Sequence, residues 1–418
     1  MIPRTCFNAR KSVDDMYDID KTAYRRFDSS RTAFIRIGKQ DTGEIGPMYF
    51  LNKMMQKAME NMQKNVDGKS RPDYALQMGS NAVNLIMGTY GDQNANKQFL
   101  KWAPLFVPEP LTKLPAQIDP DKLTSLVKNA AITYGAALVG ITELDKRWVY
   151  DRNIYKPFVF DDVGQPTETD EGFVIPNSVS KAVVMIIPMN KDLILESPGV
   201  GNETSAELGY SDMGCLSVSL AEFIRALGYN AIPCMNDTAL SIPLAISAGL
   251  GQLGRLGLLI TPEYGACVRI CKVLTDMPLN VDKPVDFGLT EFCSQCLLCA
   301  RACPAGAISF GDRTFSGPTE GNNPGAKKWY VNVDKCLRFW QANGAACSNC
   351  IAACPFTVGF LPTQCLRCER CIAPECTIQL LTAERLKHGY LEEKVGREEN
   401  GKEAWERYLT GKYFSFSR

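Results

Sequence analysis

The cysteines between Cys293 and Pro355 constrain this chain more than any other stretch. Cys293, Cys296, Cys299 and Cys303, followed by Pro304, spell C-x2-C-x2-C-x3-C-P. Cys336 follows, and then Cys347, Cys350, Cys354 and Pro355. The first run has the bacterial spacing for a [4Fe–4S] cluster, and in two-cluster proteins the fourth cysteine of each run crosses to the other cluster. Thiolate sulfur is soft and shares charge with iron–sulfur clusters. The tight spacings predict one loop wrapped around three corners of a cubane. Crossing predicts one cluster on Cys293, Cys296, Cys299 and Cys354. The second takes Cys303, Cys347, Cys350 and a loop ligand, for which Cys336 is the nearby candidate. Zinc ribbons want two separated C-x2-C pairs, and neither run is built that way.

Most of the 17 cysteines fall between residues 293 and 376, beside a single histidine, His388 in the tail. That distribution speaks for metal chemistry rather than a disulfide framework. Lys plus Arg and Asp plus Glu balance at 46 each, so charge gives no reason to expect nucleic acid. Met1 to Arg10 holds neither an apolar stretch nor a twin-arginine motif. The expectation is a cytoplasmic protein, or a mature form whose export signal has been removed. Ile242 to Pro262 is the most apolar long run, and Gln252, Arg255 and its glycines make it a poor membrane span.

Four regions follow along the chain. Residues 1–115 are polar and aromatic, with a Met- and Lys-rich helix expected over Tyr49 to Asn65 and a crossing marked by prolines 104, 108, 110 and 115. Residues 116–285 alternate helix and strand. Asp119-Pro120 starts a helix with its apolar stripe on Leu123, Leu126, Val127, Ala130 and Ala131. Ala137 to Ile141, Ala182 to Ile187, Gly257 to Thr261 and Val268 to Leu274 read as strands. A helix is expected from about Ser205 to Leu227, ended by Gly228, and a short one around Ala245 and Ile246. This alternation predicts an α/β or α+β sandwich. Residues 286–356 form the cysteine module, and 357–418 a tail.

Gly249, Gly251 and Gly254 match G-x-G-x-x-G. A dinucleotide site needs a strand before the motif and a helix after it. Here a helix precedes and a strand follows, so close backbone approach to some other large ligand is expected instead.

Several segments in one order resemble the corrinoid-dependent reductive dehalogenases: Tyr210 to Met213, Leu227 to Thr238, Ala248 to Gly265, Val268 to Val273, Glu291 to Cys296, and Phe339-Trp340 through Cys354-Pro355. The likeness is good over about 120–356 and loose before it, and is greatest to members acting on small chloroalkanes and chloroethenes. It implies an α+β fold, a nitroreductase-like α/β sandwich binding cobalamin, fused to a bacterial-ferredoxin-like module with two [4Fe–4S] clusters. Residues 1–115 would cover the cofactor and line the substrate pocket. By resemblance Tyr210 donates the proton, Arg269 is its partner and Asn236 lies on the substrate side. A phenol is a weak acid, with a pKa of about 10, and a guanidinium stabilises its anion. Strand alternation places Arg269 opposite Val268 and Ile270, away from their apolar packing.

The resemblance implies a base-off corrinoid, and because D-x-H-x-x-G is absent, no protein histidine is expected below cobalt. Asn236, Thr238, Ser241, Gly249, Gly251 and Gly254 would cradle its nucleotide tail. Trp340 and Phe34 would line the substrate pocket. The resemblance further implies a small halogenated substrate, chloroform or trichloroethane ahead of a chloroethene, and an upstream electron donor. A small membrane-anchor subunit would hold the chain peripherally at the outer face of the cytoplasmic membrane; a homodimer is compatible with it. Cys365, Cys368, Cys371 and Cys376 depart from the family pattern and are candidates for a third cluster or a zinc site. Cys6, Cys215, Cys234, Cys267 and Cys271 have no motif and read as small core residues. Two rivals remain. Epoxyqueuosine reductase, a tRNA-modifying relative, would want a basic face. A plain ferredoxin-like electron carrier would leave the long α/β region unexplained.

Overall fold

The computed structural model describes residues 8–9, 12–46, 48–89, 102–105 and 115–358. Among the described residues, the N-terminal region supplies a short helix at Val13–Tyr17 and then α1 (Ala33–Thr42), α2 (Leu51–Gln63), α3 (Arg71–Ser80) and α4 (Ala82–Thr89). α1 stops at Gly43, whose φ of 80° is the left-handed cap that glycine adopts freely. α3 opens on a capping box between Ser70 and Asp73. The helix expected over Tyr49 to Asn65 is α2. Pro108 and Pro110 of the expected crossing lie outside the described residues.

The central region is a sandwich. α5 (Pro120–Thr133) begins where Asp119 caps it. Strands β1 (Leu138–Glu143), β2 (Lys181–Pro188), β3 (Ala231–Cys234) and β4 (Val268–Thr275) form one sheet, order β1-β2-β4-β3. Every neighbouring pair is antiparallel. The fold is therefore α+β rather than a crossover-wound parallel sheet. Alternation splits the core in two. Val183, Met185, Ile187, Cys271 and Val273 face α5 and the long helix α6 (Val200–Ala226). Ala182, Val184, Ile186 and Leu274 face the short helix α7 (Ser241–Ser247).

Two boundaries differ from the sequence reading. α6 starts at Val200, before Ser205. Its first turns bury polar Asn202, Glu203, Thr204 and Ser205, so apolar periodicity could not mark them. Asn202 donates to the Ala346 carbonyl at 3.0 Å and Glu203 accepts from the Ala346 N–H at 3.1 Å, which ties the helix to the cysteine module. The strand expected from Gly257 is only Leu259–Ile260, because Gly257 turns at φ 77°.

In the cysteine module, α8 (Leu289–Cys296) and α9 (Leu298–Arg301) precede α10 (Val333–Asn343) and α11 (Asn349–Ala352). The first cysteine run is thus two helices hinged at Leu297, at φ 56°, and not one loop. The left-handed joint turns the chain between Cys296 and Cys299, which a continuous helix would leave on one face.

Asp41 of α1 clamps the N-terminal helices onto α10. It accepts from Arg338 Nη1 at 2.7 Å, Lys53 Nζ at 2.7 Å and Gln341 Nε2 at 2.8 Å. Burial raises its carboxyl, but these hydrogen bonds prevail and hold it at about 2. A depressed carboxyl contributes stability above its ordinary value near ~3.9 and loses it only as pH falls through the folded value. Asp41→Asn is expected to cost about 1–2 kcal/mol, since Arg338 and Lys53 are partly solvated. Denaturant melts should give the same deficit at pH 5.5 and pH 8. A deficit that varies across that window would assign the stability to another group.

Candidate active site and cysteine loops

Tyr210 lies on α6, Arg269 near the start of β4, and Asn236 on the loop after β3. The fold brings the three together. Asn236 Nδ2 donates to the Tyr210 hydroxyl at 2.7 Å. Arg269 Nη1 donates to the same oxygen at 3.5 Å, and its guanidinium carbon lies 4.4 Å from the Tyr210 ring centre. Both neighbours are donors, so the phenol oxygen accepts twice and its own proton stays free to be given away. Arg269 Nε is buried without a hydrogen-bond partner. Alternation placed Arg269 opposite Val268 and Ile270, as expected, but that face is the α6 face, shared with Cys271 and Val273. It therefore enters packing rather than leaving it. Gly209 makes the room: a Cβ there would sit 2.7 Å from Arg269 Cγ.

The Asn236 loop is pinned from beneath by groups that sequence reasoning missed. Lys272 is fully buried on the α7 face of β4. Its Nζ donates to the carbonyls of Met235 at 2.6 Å and Asp237 at 3.0 Å, and to Ser241 Oγ at 3.1 Å. Asp237 accepts from the Met235 N–H at 3.1 Å and from Thr238 Oγ1 at 2.7 Å. Tyr150 donates to the Asn236 carbonyl at 3.1 Å, and burial, with Asp237 nearby, pushes its phenol up and keeps it a donor. The signal available in the sequence was a lysine between Cys271 and Val273 in an apolar strand. Glu207 was also missed. It lies one turn before Tyr210, and burial, reinforced by Glu203 and opposed by Arg269, pushes it up to about 7.

The proposed nucleotide cradle fares differently. A Cβ on Gly249 would meet the Lys283 carbonyl at 2.4 Å, and one on Gly251 the Ile260 carbonyl at 2.4 Å. One on Gly254 would meet Ile260 Cδ1 at 2.5 Å. These glycines permit close approach of the chain to itself. The Thr238 and Ser241 hydroxyls are held by Asp237 and Lys272.

Cys293, Cys296, Cys299 and Cys354 line one pocket with Arg255, Phe292 and Phe356. Cys303, Cys336, Cys347 and Cys350 form a second set. Burial pushes the Cys350 thiol up, and Cys347, Cys336 and Cys303 push it further. Both sets match the crossed pattern. Among the described residues no three His, Cys, Asp or Glu converge as a single-ion site. An all-sulfur donor set spread around a pocket fits a cluster rather than a lone ion. N–H and O–H donors already face the sulfurs: Ala307 N lies 3.3 Å from Cys303 Sγ, and Ser197 Oγ 3.8 Å from Cys347 Sγ.

Phe34 and Trp340 meet, ring centres 6.1 Å apart, with Phe50 4.8 Å from Phe34. The Trp340 indole lies beside Cys336, one turn earlier on α10. The pair thus flanks the second cysteine set, and Tyr210 has Arg269 rather than either ring as its stacking partner. Cys234, Cys267 and Cys271 are buried as expected, whereas Cys215 is exposed on α6. Cys6, Cys365, Cys368, Cys371, Cys376 and His388 lie outside the described residues. Among the described residues no helix is long and apolar enough to cross a membrane.

Residues 292–358 match the family model of a 4Fe-4S dicluster domain, and residues 146–279 that of a reductive dehalogenase subunit. The chain is 39% identical over 320 residues to the tetrachloroethene reductive dehalogenase of Sulfurospirillum multivorans, covering 71% of this chain and 63% of that one. It is 38% identical over 267 residues to the tetrachloroethene reductive dehalogenase of Desulfitobacterium hafniense, covering 56% and 48%. The chain thus spans about half to under two-thirds of these relatives' lengths. Among solved structures it resembles the catabolic reductive dehalogenase NpRdhA in complex with 3-bromo-4-hydroxybenzoic acid, at TM-score 0.61 and 22% identity, covering 92% of this chain and 49% of that one. That likeness supports the fold.

Proposed function

We propose that this chain, which belongs to the reductive dehalogenase family, replaces a halogen of a small chlorinated hydrocarbon by hydrogen. The reaction consumes two electrons and one proton and releases halide. The single observation that carries the reading is the Tyr210 phenol, flanked by two donors and free to give its proton. A base-off cobalamin-type corrinoid would supply the low-valent cobalt for carbon–halogen cleavage, and two [4Fe–4S] clusters the electrons. Cys293, Cys296, Cys299 and Cys354 would hold one cluster, and Cys303, Cys336, Cys347 and Cys350 the other. The unpaired Arg269 Nε and the exposed Asn236 amide fit a polar, anion-tolerant site. Tyr210 gives its proton to the reacting carbon. Arg269 and Asn236 then hold the tyrosinate through the hydrogen bonds they already make, so little reorganisation is needed. Phe34 and Trp340 would supply apolar walls, and an upstream donor and a membrane anchor would complete the system.

The relatives named above are tetrachloroethene enzymes; the family resemblance read from the sequence favours chloroalkanes. A reduced-dye assay with tetrachloroethene, trichloroethane and chloroform in parallel decides between the two classes. No turnover of any of them by anaerobically purified protein containing iron and cobalt would end the reading.

Glu207 sets a pH dependence. Below about 7 it is neutral and leaves Arg269 to the phenol; above that value it ionises and competes for the guanidinium. kcat/KM is expected to fall as pH rises through 7, and Glu207→Gln should hold the activity level to pH 8. A wild-type-shaped profile in that variant would exclude Glu207 as the titrating group.

A further inference from the structure

The last residue of the glycine-rich stretch, Arg255, belongs to none of the chemistry above, yet it is 2% exposed. Its guanidinium is spent on backbone carbonyls. Nε donates to Cys293 at 2.9 Å, Nη1 to Ser309 at 2.7 Å and Gly311 at 2.9 Å, and Nη2 to Ser294 at 3.3 Å. It stacks on Trp329, 4.4 Å from the ring centre. None of these partners carries negative charge. Arg255 nevertheless lines the same pocket as Cys293, Cys296, Cys299 and Cys354. A carboxylate in its place would be repelled by four thiolates. A neutral residue could cap the same carbonyls. Only a cation answers the charge that gathers in this pocket.

The glycines serve the same end. Gly251 and Gly254 let the stretch fold tightly over Ile260. Gln252 fastens it to the module by accepting from the Phe287 N–H at 2.8 Å and donating to Asp286 at 3.1 Å. The stretch thus delivers one buried positive charge from the sandwich to the wall of a cysteine pocket in the neighbouring module.

We propose that Arg255 is a positioning and charge-setting residue that makes the cluster held by Cys293, Cys296, Cys299 and Cys354 easier to reduce than the same four thiolates would alone. The proposal rests on the cluster assignment above. Adding one electron to a cluster makes its charge more negative, and a fixed buried cation stabilises the reduced form over the oxidised one. Charge and hydrogen bonding are among the levers that set cluster potentials. The cluster held by Cys303, Cys336, Cys347 and Cys350 does not share this pocket and serves as an internal reference.

The test is a dye-mediated redox titration of the holoprotein followed by EPR, with dithionite as reductant and iron content measured on each variant. Arg255→Gln, which keeps donors for carbonyls but loses the charge, should make one cluster at least tenfold harder to reduce at a fixed potential. For a one-electron couple that is a midpoint about 59 mV more negative. The other cluster's midpoint should stay put. Arg255→Lys keeps the charge and discards the fork, so its midpoint should stay near wild type. Full iron with unmoved midpoints in Arg255→Gln overturns the proposal and leaves the cluster assignment standing. Should that variant lose iron, Arg255→Lys carries the test, and a midpoint as far displaced as tenfold overturns it. Wild-type protein holding far fewer than about eight irons per chain would refute the underlying assignment instead.

Discussion

Replacing Tyr210 by phenylalanine is expected to lower kcat by about 10²- to 10⁴-fold, the usual worth of a positioned acid, with iron and cobalt content unchanged. The substitution keeps the ring, and with it the stacking of Arg269 at 4.4 Å. It removes only the hydroxyl, so the packing of α6 should survive. What disappears is the proton and the oxygen that Asn236 and Arg269 both address. Two donors then lose the hydroxyl, but the exposed Asn236 amide can turn to water, so the stability cost should be about 1 kcal/mol. Turnover with reduced dye, metal analysis and a thermal melt separate these effects. Full activity in Tyr210→Phe would remove Tyr210 from the mechanism. Low activity with lost cobalt would recast it as a cofactor-binding residue.

The parts of this protein that were legible in the sequence are those whose chemistry demands a spacing or a period. Cysteine spacing foretold which thiols would share a pocket, including the crossing of Cys354 to the first run. Strand alternation foretold the side of β4 on which Arg269 stands. The start of α6 was hidden because Asn202, Glu203 and Ser205 are buried for their hydrogen bonds, and periodicity registers only apolar burial. The support beneath Asn236 was hidden for a related reason. Lys272 satisfies its charge with carbonyls and a hydroxyl from residues 235–241, a partnership that tertiary structure alone creates. The glycines were legible as a pattern but not as contacts: a glycine reports only that something approaches closely, and the tertiary fold brings Ile260 and Lys283 there.

Cys354→Ala is the second change expected to abolish turnover, and it tests the crossing of the cysteine runs directly. Cys354 stands at the end of the second run yet lines the pocket of Cys293, Cys296 and Cys299. Its loss should remove one cluster, lowering iron from about eight to about four per chain. Iron alone cannot tell which cluster has gone, so the comparison is with single alanine variants of the other ligands. If the runs cross, the EPR signal that remains in Cys354→Ala matches the one remaining in Cys293→Ala. Cys303→Ala should then match Cys350→Ala. An uncrossed arrangement predicts the opposite pairing, with Cys354→Ala matching Cys350→Ala. The physical ground for crossing is the position of α11, which carries Cys350 while the chain immediately after it carries Cys354. Cys354 lines the pocket of Cys293, Cys296 and Cys299, whereas Cys350, four residues earlier, lies among Cys303, Cys336 and Cys347.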